Sequence, residues 1–355
     1  MKKLTEKSAR RLTGILIIAA VLLFAAAAGI YFYYTGVYEG YEVTTYSMGS
    51  YVQQTLYGSG KEDAAREAAN NIAELEDTIS WRKEGSDIQR LNAEAGGAFI
   101  DVEAVTYSLL ELTQDVAEIS GGAFDVTIAP LSRLWDFDGD KQTVPEATLI
   151  ERLIPNVDYS RVLLSDEQAA LKLKNTAVDL GAVGKGAACD VAVRTYEQLG
   201  IDRGIIAVGG SVGIYGDKPG GSAWKVAVRD PESSASLGEL ALNGGSFIST
   251  SGSYEKCFEK DGVLYHHLLN PKTGYPADSS LLSVTVVASS GALSDALSTA
   301  CFVTDMDRAV LLLSEYSGQN AGAVFVTKDS EVYVTSGLFE AFTLYDDSYE
   351  VISIG

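Results

Sequence analysis

The chain has 355 residues, 46% of them hydrophobic, and a formal net charge of -21 at pH 7. This length and composition predict a folded protein with a sizeable core, in one large domain or two ordinary ones. The acidic charge argues against nucleic-acid binding, because no run of Lys or Arg beyond the N-terminus would offset repulsion by a phosphate backbone. An anionic substrate is therefore expected to need a metal ion. The three widely spaced cysteines predict neither a zinc site nor a disulfide framework.

The N-terminus combines a basic segment, residues 1–11, with an apolar run over residues 12–34. The run predicts a transmembrane anchor, since a helix needs about 20 apolar residues to span a bilayer, and the basic residues predict a cytoplasmic N-terminus. A tether at residues 35–42 and an extracytoplasmic domain at residues 43–355 would follow. A cleaved signal sequence is the alternative, although its apolar region is usually shorter, about 7 to 15 residues.

Apolar spacing predicts the elements of the first half of the chain. TTYSMGSYVQQTLYG, residues 44–58, alternates like a strand, and residues 61–80 repeat apolar side chains at helical spacing. Three further helices are expected from their end signals: one capped by Ser86, one that stops at Gly121 and Gly122, and a short one that begins at Pro145.

The second half reads as strands and helices in mixed order. RVLLSDEQAALKLK and AVFVTKDSEVYVTS are typical of hairpins, and GIIAVGGSVGIYG, WKVAVRD, LSVTVVAS and FTLYDDSYEVISI are typical of strands. Helices are predicted over residues 184–199, 294–303 and 307–317. Because no regular βαβ alternation or fixed-period repeat runs through the chain, the pattern predicts an α+β fold of mixed strands and helices, with one catalytic domain.

The stretch VDLGAVGKGAACD, from Val178, is rich in glycine. A strand is expected to end at Asp179 and a helix to begin soon afterwards, and such a turn can cradle a phosphate with its free N–H groups. It is not a P-loop, because Lys185 is followed by glycine rather than by Ser or Thr. The alternative is that these glycines serve only close packing.

The segment LSDALSTACF carries oxygen-bearing side chains at helical spacing. Ser294 is expected to cap a helix in which Asp295, Ser298 and Thr299 share one face. A carboxylate with hydroxyl groups suits Mg²⁺, which usually takes few protein carboxylates and completes its shell with phosphate and water. The alternative is structural, since an Asp at a helix start meets the dipole and Ser or Thr can bond within the helix.

His266 and His267 are the two histidines of the chain, and they are adjacent, ahead of the turn sequence NPKTG. Neighbouring residues on a strand point to opposite faces, so only one imidazole can face a given pocket. The other is then exposed or structural. A structural role for both, as hydrogen-bonded groups beside a turn, is the alternative.

Taken together and in order, these segments resemble the ApbE family, the flavin transferases that move FMN from FAD to a threonine or serine of a target protein. The matching landmarks, which span nearly all of the chain after the anchor, are MGS at Met48, SDIQRLN at Ser86, GGAFDVTIAPL at Gly121, VDLGAVGKGAACD at Val178, VGGSV at Val208, TSGSYE at Thr250, HHLLNPKTGYP at His266 and SDALSTACF at Ser294.

The resemblance implies a site. FAD would lie in a cleft lined by Met48, Trp81, Ala123, Phe124, Asp125, Asp179, Lys185, His267 and Leu268. Mg²⁺ would be bound by the main-chain oxygen of Ala182, the carboxylate of Asp295 and the hydroxyl of Thr299, with Ser298 close by. His267 and Asp295 would be catalytic. The chain departs from the family pattern at Asn270, where an aspartate is usual, and at Trp81, where a tyrosine is common; an indole can still stack on a flavin or adenine ring.

The implied reaction is a magnesium-dependent transfer of FMN from FAD to a Thr or Ser hydroxyl through a phosphoester bond, with release of AMP. The acceptor would be a membrane-bound or secreted electron-transfer protein, and the enzyme would lie outside the cytoplasm on a single-pass membrane anchor. Three alternatives use the same chain differently: an FAD pyrophosphatase that releases FMN and AMP, a non-catalytic flavin-binding protein, and a membrane-tethered interaction module.

Overall fold

A computed structural model describes residues 16–31, 39–139 and 142–355. Residues 16–31, within the predicted anchor, form a helix, α1. Among the residues that the structure describes, none of the helices is both long and apolar enough to cross a membrane. The predicted basic segment 1–11, the two ends of the predicted anchor and the first half of the predicted tether, residues 35–38, lie outside the described residues.

The first half of the chain forms strands β1–β5 and helices α2–α6. Their bounds are β1 Tyr41–Ser47, β2 Ser50–Tyr57, α2 Lys61–Ile79, α3 Asp87–Ala93, β3 Ile100–Asp101, α4 Ala104–Ile119, α5 Ala129–Trp135, α6 Ala147–Leu153, β4 Val162–Ser165 and β5 Gln168–Leu171.

The second half forms β6–β17 and α7–α10. Their bounds are α7 Gly181–Gln198, β6 Arg203–Val208, β7 Ser211–Tyr215, β8 Trp224–Arg229, β9 Ser236–Leu242, β10 Phe247–Gly252, β11 Cys257–Lys260, β12 Val263–His266, β13 Leu281–Ala288, α8 Gly291–Val303, α9 Met306–Glu315, β14 Gly322–Thr327, β15 Glu331–Thr335, α10 Ser336–Phe339, β16 Phe342–Leu344 and β17 Glu350–Ile354.

Within the described chain, a nine-stranded sheet in the order β1-β2-β6-β7-β10-β13-β14-β15-β17 forms the centre of the fold. Neighbouring strands pair antiparallel except β15 and β17, which are parallel. Smaller sheets have the orders β16-β9-β8, β3-β5-β4 and β11-β12. This is the mixed α+β, single-domain architecture that the sequence predicts.

The central sheet is buried on both faces. Along β14, Ala323 and Phe325 join the core that α2, α7 and α8 form on one side. Val324 and Val326, which alternate with these residues along the strand, join the core beneath the β8–β9–β16 sheet on the other side. Because successive strand residues point to opposite faces, a nearly continuous apolar run such as AVFV suits a strand between two layers.

Helices α7 and α8 cross in backbone contact. A Cβ atom placed on Gly186 would overlap the carbonyl oxygen of Gly291, and one placed on Gly291 would overlap the carbonyl oxygen of Gly186. Glycine at both positions therefore permits an approach that any side chain would prevent. This crossing brings α8, with Asp295, against the N-terminal turns of α7.

Three local predictions require correction. Residues 44–58 form two strands, because Met48 and Gly49, with φ of 55° and 67°, make a two-residue turn of the kind that closes hairpins. The cap of α8 is Ser290, whose hydroxyl accepts the N–H of Leu293, and Ser294 lies inside the helix. The segment before Asp179 makes only an isolated bridge, between Ala177 and Ile128, and forms no strand within the described chain.

Candidate active site

A cleft beside the α7–α8 crossing has two chambers. The first chamber has a volume of about 230 Å³ and the second about 640 Å³. The residues that line both chambers are Arg82, Asp138, Asp179, Gly181, Lys185, Thr250, Glu255 and Lys256. The shared wall makes the two chambers parts of one cleft.

The cleft brings together the side chains that the sequence singled out. The first chamber is lined by Ala123, Phe124, Asp125, Asp179, Ala182, Lys185, His267, Leu268, Asp295, Ser298 and Thr299. The second chamber is lined by Met48 and Trp81, together with Asp179 and Lys185. These residues come from widely separated parts of the chain, so the fold assembles them.

Asp295 is a buried carboxylate at the wall of the first chamber, with 6% of its surface exposed. Its Oδ1 accepts the Ser211 hydroxyl at 2.6 Å, and its Oδ2 accepts the Gly186 N–H at 2.6 Å. Among the described residues, Asp295 forms no ion pair with a Lys or Arg side chain. A buried carboxylate without a cationic side chain is a group that a bound cation would stabilise.

Three further hydroxyl groups that line the first chamber lie close to one another. The Ser251 hydroxyl lies 2.8 Å from that of Ser298 and 3.3 Å from that of Thr299. Ser298 also donates to the main-chain oxygen of Asp295 at 2.9 Å, which is the within-helix bond expected of a buried serine. In a regular helix the Gly186 N–H would donate to the carbonyl of Ala182, so Asp295 competes with that carbonyl for the same donor.

This donor set fits a hard divalent cation. In the described residues, no group of three or more His, Cys, Asp or Glu side chains could hold a metal ion. A site here would therefore consist of one carboxylate, hydroxyls and a main-chain carbonyl. Mg²⁺ accepts such a set because it usually keeps several waters or phosphate oxygens in its shell, whereas zinc requires several nitrogen or sulfur ligands.

His267 is held in one tautomer at the wall of the first chamber. Its Nδ1 lies 3.0 Å from the carbonyl oxygen of Glu255. A carbonyl can only accept, so Nδ1 carries the proton and Nε2 keeps its lone pair. Burial lowers the pKa of His267 to about 4, and the charges of Lys256 and Lys185 act in the same direction, against the hydrogen bond to Glu255. The ring is therefore neutral at neutral pH.

His266 has a different environment. It is buried, with 6% of its surface exposed, and its ring meets Phe302 edge-on at 5.5 Å. Its Nδ1 has no hydrogen-bond partner. Of the two adjacent histidines, His267 therefore lines the cleft and His266 lies in the core.

The predicted FAD-binding residues Asp125 and Asp179 organise backbone at the cleft. Oδ1 of Asp125 accepts both the N–H and the hydroxyl of Thr127, at 2.8 Å and 2.6 Å, and its Oδ2 accepts the N–H of Tyr159 at 2.9 Å. Burial raises the pKa of Asp125 in spite of these bonds. Asp179 Oδ1 accepts the N–H of Gly181 at 2.8 Å, at the start of α7.

Met48 lies in the turn of the β1–β2 hairpin and lines the second chamber. Oε2 of Glu76 in α2 accepts the Met48 N–H at 2.8 Å and the Ser47 hydroxyl at 2.7 Å. A Cβ atom on Gly184 would lie 3.0 Å from Cε of Met48. The absence of a side chain at Gly184 therefore lets the Met48 side chain pack on α7.

Trp81 is packed by two guanidinium groups. The Cζ atoms of Arg82 and Arg133 lie 4.4 Å and 4.5 Å from the indole ring centroid. Arg82 also pairs with Asp138 at 3.0 Å, and Asp138 pairs with Lys256 at 2.7 Å. A flavin or adenine ring stacked on Trp81 would share the indole with these cations.

Comparison with known proteins identifies the family and the fold. Residues 48–325 match the family model described as ApbE family. The chain belongs to the ApbE family. The FAD:protein FMN transferase of Treponema pallidum is 31% identical over 299 residues, which cover 80% of this chain and 82% of that protein. The FAD:protein FMN transferase of Escherichia coli K12 is 28% identical over 308 residues, 83% of this chain and 87% of that protein.

Solved ApbE structures share the architecture. The ApbE protein of Thermotoga maritima superposes with a TM-score of 0.76 at 30% identity, covering 83% of this chain and 96% of that one. The apo flavinyl transferase ApbE of Pseudomonas stutzeri superposes with a TM-score of 0.76 at 27% identity, covering 87% of this chain and 98% of that one.

Several residues in or next to the cleft are not predicted from the sequence. Ser251 and Ser211 fall inside the ApbE landmarks TSGSYE and VGGSV, so a signal for them was present. Asp138 and Lys256 meet only through the fold, and no local pattern marks them. Asp190 accepts two N–H groups at the start of α8, and burial raises its pKa to about 6.

Proposed function

We propose that this ApbE-family chain binds FAD with Mg²⁺ in the two-chambered cleft and transfers FMN to a Thr or Ser hydroxyl of an acceptor protein, with release of AMP. The enzyme class, FAD:protein FMN transferase, is that of its relatives over most of the chain. The observation that carries the finer proposal is the placement of Asp295, its neighbouring hydroxyls and a neutral His267 on one chamber wall.

The reaction is a phosphoryl-type substitution. The acceptor hydroxyl oxygen forms a bond to the flavin-side phosphorus of FAD, the bond from that phosphorus to the bridging oxygen breaks, and AMP leaves with the electron pair. Such transfers depend on positioning and on compensation of phosphate charge more than on covalent help from the protein. Bound Mg²⁺ would supply charge neutralisation at the pyrophosphate.

Asp295, Thr299 and the Ala182 carbonyl would hold the cation, with Ser298 beside them. Ser211 and Gly186 fix the orientation of the Asp295 carboxylate by donating to one oxygen each. Both oxygens keep a lone pair, because a carboxylate offers about four acceptor positions. The carboxylate is therefore oriented before a ligand arrives.

His267 would take the proton of the acceptor hydroxyl on Nε2. The Glu255 carbonyl supports this role because it selects the tautomer with Nε2 unprotonated. Lys256 and Lys185 disfavour a lasting imidazolium, so the proton would pass on to solvent or to the departing phosphate. Lys185, which lines both chambers, would contact the phosphates directly.

The N-terminal sequence supports a position outside the cytoplasm. We propose that the apolar run 12–34 anchors the chain in the cell membrane, with residues 1–11 inside and the cleft outside. The acceptor would then be a membrane-bound or secreted electron-transfer protein. Protease added to intact cells should digest the domain, and complete protection until the membrane is opened would contradict this orientation.

The function is tested with purified residues 43–355, FAD, Mg²⁺ and a panel of Ser- or Thr-containing candidate acceptors. Covalent flavin fluorescence on an acceptor in a denaturing gel, with AMP release, supports transfer. Release of AMP and free FMN without labelling would identify an FAD pyrophosphatase instead. Bound FAD that is neither transferred nor cleaved would identify a flavin-binding protein.

A further inference from the structure

Two segments of the chain repeat the pattern Gly-Ala-x-x-Asp. GAACD occupies residues 186–190 in α7, and GALSD occupies residues 291–295 in α8. Their glycines meet at the helix crossing, where backbone lies against backbone. The repeat therefore places an aspartate on each helix one turn beyond the same contact point.

The two aspartates bond across the crossing in reciprocal fashion. Oδ1 and Oδ2 of Asp190 accept the N–H groups of Gly291 and Ala292 at 2.6 Å and 2.9 Å. Oδ2 of Asp295 accepts the N–H of Gly186 at 2.6 Å. Each glycine thus donates to the aspartate that follows the other glycine. This exchange fixes both the separation and the register of α7 and α8.

The two aspartates, Asp190 and Asp295, differ in their surroundings. Asp295 is among the described residues that line the cleft, whereas Asp190 is not. Asp190 faces the N-terminal turn of α8, and the charged groups near it are Arg194 on its own helix and Asp295 on the other. A ligand in the cleft would therefore contact Asp295, and it would respond to Asp190 only through α8.

We propose that Asp190 is a positioning residue that holds the Asp295 carboxylate in its cation-binding orientation by fixing the start of α8 against α7. The proposal rests on the proposed function, which assigns the cation to Asp295. Loss of the Asp190 acceptor frees the N–H groups of Gly291 and Ala292, so the first turn of α8 can shift. Asp295, one turn later, shifts with it and loses its bond to Gly186.

The helix itself does not depend on Asp190. Ser290 caps α8 independently by accepting the N–H of Leu293, and α8 is buried against the sheet. Removal of Asp190 is therefore expected to displace the cation ligand while α8 stays formed. Outer partners of metal ligands commonly change metal affinity by roughly 10–100-fold when they are replaced.

A matched control lies elsewhere in the chain. Asp87 is a buried carboxylate whose Oδ2 accepts the Glu103 N–H, at the start of α4, at 2.7 Å and the Thr106 hydroxyl at 2.7 Å. Like Asp190 it accepts a backbone N–H at a helix start, and it also pairs with Arg90, but the described cleft linings do not include it. The Asp87→Asn variant measures the effect of losing such a bond at a site outside the cleft that Asp295 lines.

The test is Mn²⁺ binding, measured from the free-ion electron paramagnetic resonance signal, for the wild type, Asp190→Asn, Asp190→Ser, Asp87→Asn and Asp295→Asn. Asp190→Asn keeps one oxygen acceptor but turns an amide NH2 group towards the second backbone N–H, whereas Asp190→Ser keeps a hydroxyl acceptor without that opposed donor and is the second variant if the amide unfolds the chain. We expect Mn²⁺ affinity to fall by roughly 10–100-fold in Asp190→Asn and less in Asp190→Ser, with Asp87→Asn like the wild type. In turnover, the Mg²⁺ concentration for half-maximal rate should rise while the rate at saturating Mg²⁺ recovers.

The outcomes separate the two proposals. If the wild type binds Mn²⁺ through Asp295 and Asp190→Asn binds it equally well, the positioning role is wrong and the proposed function stands. If Asp190→Asn and Asp87→Asn weaken binding equally, the effect is general destabilisation and the positioning role is again wrong. If the wild type does not bind Mn²⁺, or Asp295→Asn binds as well as the wild type, both proposals fall.

Discussion

Nδ1 of His267 lies 3.0 Å from the main-chain oxygen of Glu255, and this single contact determines which nitrogen of the ring can accept a proton. Nε2 of this ring, which belongs to a residue that lines the first chamber, is therefore unprotonated. Burial keeps that ring neutral, because it lowers the pKa to about 4.

Replacement of His267 by alanine should reduce FMN transfer by roughly 10²–10⁴-fold, the usual contribution of a positioned acid–base group, while the Kd for FAD changes little. Single-turnover labelling of the acceptor at saturating FAD and Mg²⁺ measures the rate. A His267→Gln control preserves polarity without a basic ring nitrogen and should behave like alanine. Undiminished transfer in either variant contradicts the proposed role.

His266 makes stability depend on pH. Burial lowers its pKa to about 4 from 6.5, so between these values the unfolded chain binds a proton that the folded chain does not. Its contribution to stability is therefore present above about pH 6.5 and lost as pH falls towards 4. The His266→Leu variant lacks this pH-dependent contribution. When the pH is lowered from about 7 to 4.5, the free energy of unfolding of the variant, measured by urea denaturation, should fall by roughly 2 kcal/mol less than that of the wild type.

If the free energies of unfolding of the wild type and His266→Leu depended on pH in the same way, the His266 imidazole would be protonated as readily in the folded chain as in the unfolded chain. That result would contradict the prediction. The comparison is needed because Asp125 and Asp190, whose pKa values are raised, change stability in the opposite direction. Those groups are common to both proteins and cancel in the difference.

Asp138 pairs with Arg82 and Lys256, two cations of the cleft that an anionic ligand would also attract. Burial alone would raise its pKa, but the hydrogen bond and charge of Lys256 and the charge of Arg82 lower it overall, so the group is ionised at neutral pH. Asp138→Asn frees both cations for the pyrophosphate. The Kd for FAD should fall by about three- to tenfold, and less at high salt, as expected for partly exposed charges.

Fluorescence quenching of FAD measures this affinity. Asp63→Asn is the control, because it breaks the exposed Arg66–Asp63 pair far from the cleft and should leave FAD binding unchanged. Weaker FAD binding in Asp138→Asn would mean that the carboxylate organises the site rather than competing for its cations.

Gly186→Ala should destabilise the fold, because the new methyl group would overlap the backbone of Gly291 and force α7 and α8 apart. We expect a loss of about 1–3 kcal/mol in the free energy of unfolding, or failure to fold. Gly337→Ala in α10 is the matched control, since a Cβ atom there meets nothing within 4 Å. The control should be neutral or slightly stabilising. Equal denaturation midpoints for the two variants would contradict the packing account.

The elements that followed from local sequence are those with a strong period or a clear cap. Helix α2 was predicted from its apolar spacing, and the Ser86 cap of α3 is confirmed by its bond to the Gln89 N–H. Helix α4 ends as predicted before Gly121 and Gly122, which take φ of 63° and 77°. In each case the deciding interaction lies within a few residues of the signal.

Some errors concern local signals, and others concern contacts between distant residues. Helix α8 begins at Gly291, three residues before the predicted start, because Ser290 rather than Ser294 caps it. The Asp138–Lys256 pair links loops that no local pattern joins. Family resemblance named the candidate FAD and cation ligands among the cleft residues, whereas the bonds that orient Asp295 and His267 required the fold.

The most direct test of the central claim is intact mass spectrometry of an acceptor protein after incubation with this enzyme, FAD and Mg²⁺. The account predicts a mass increase equal to FMN less one water, one AMP released for each flavin attached, and loss of both signals with a chelator or in Asp295→Asn. An unmodified acceptor beside stoichiometric AMP and free FMN, or full labelling in the presence of the chelator, would contradict it.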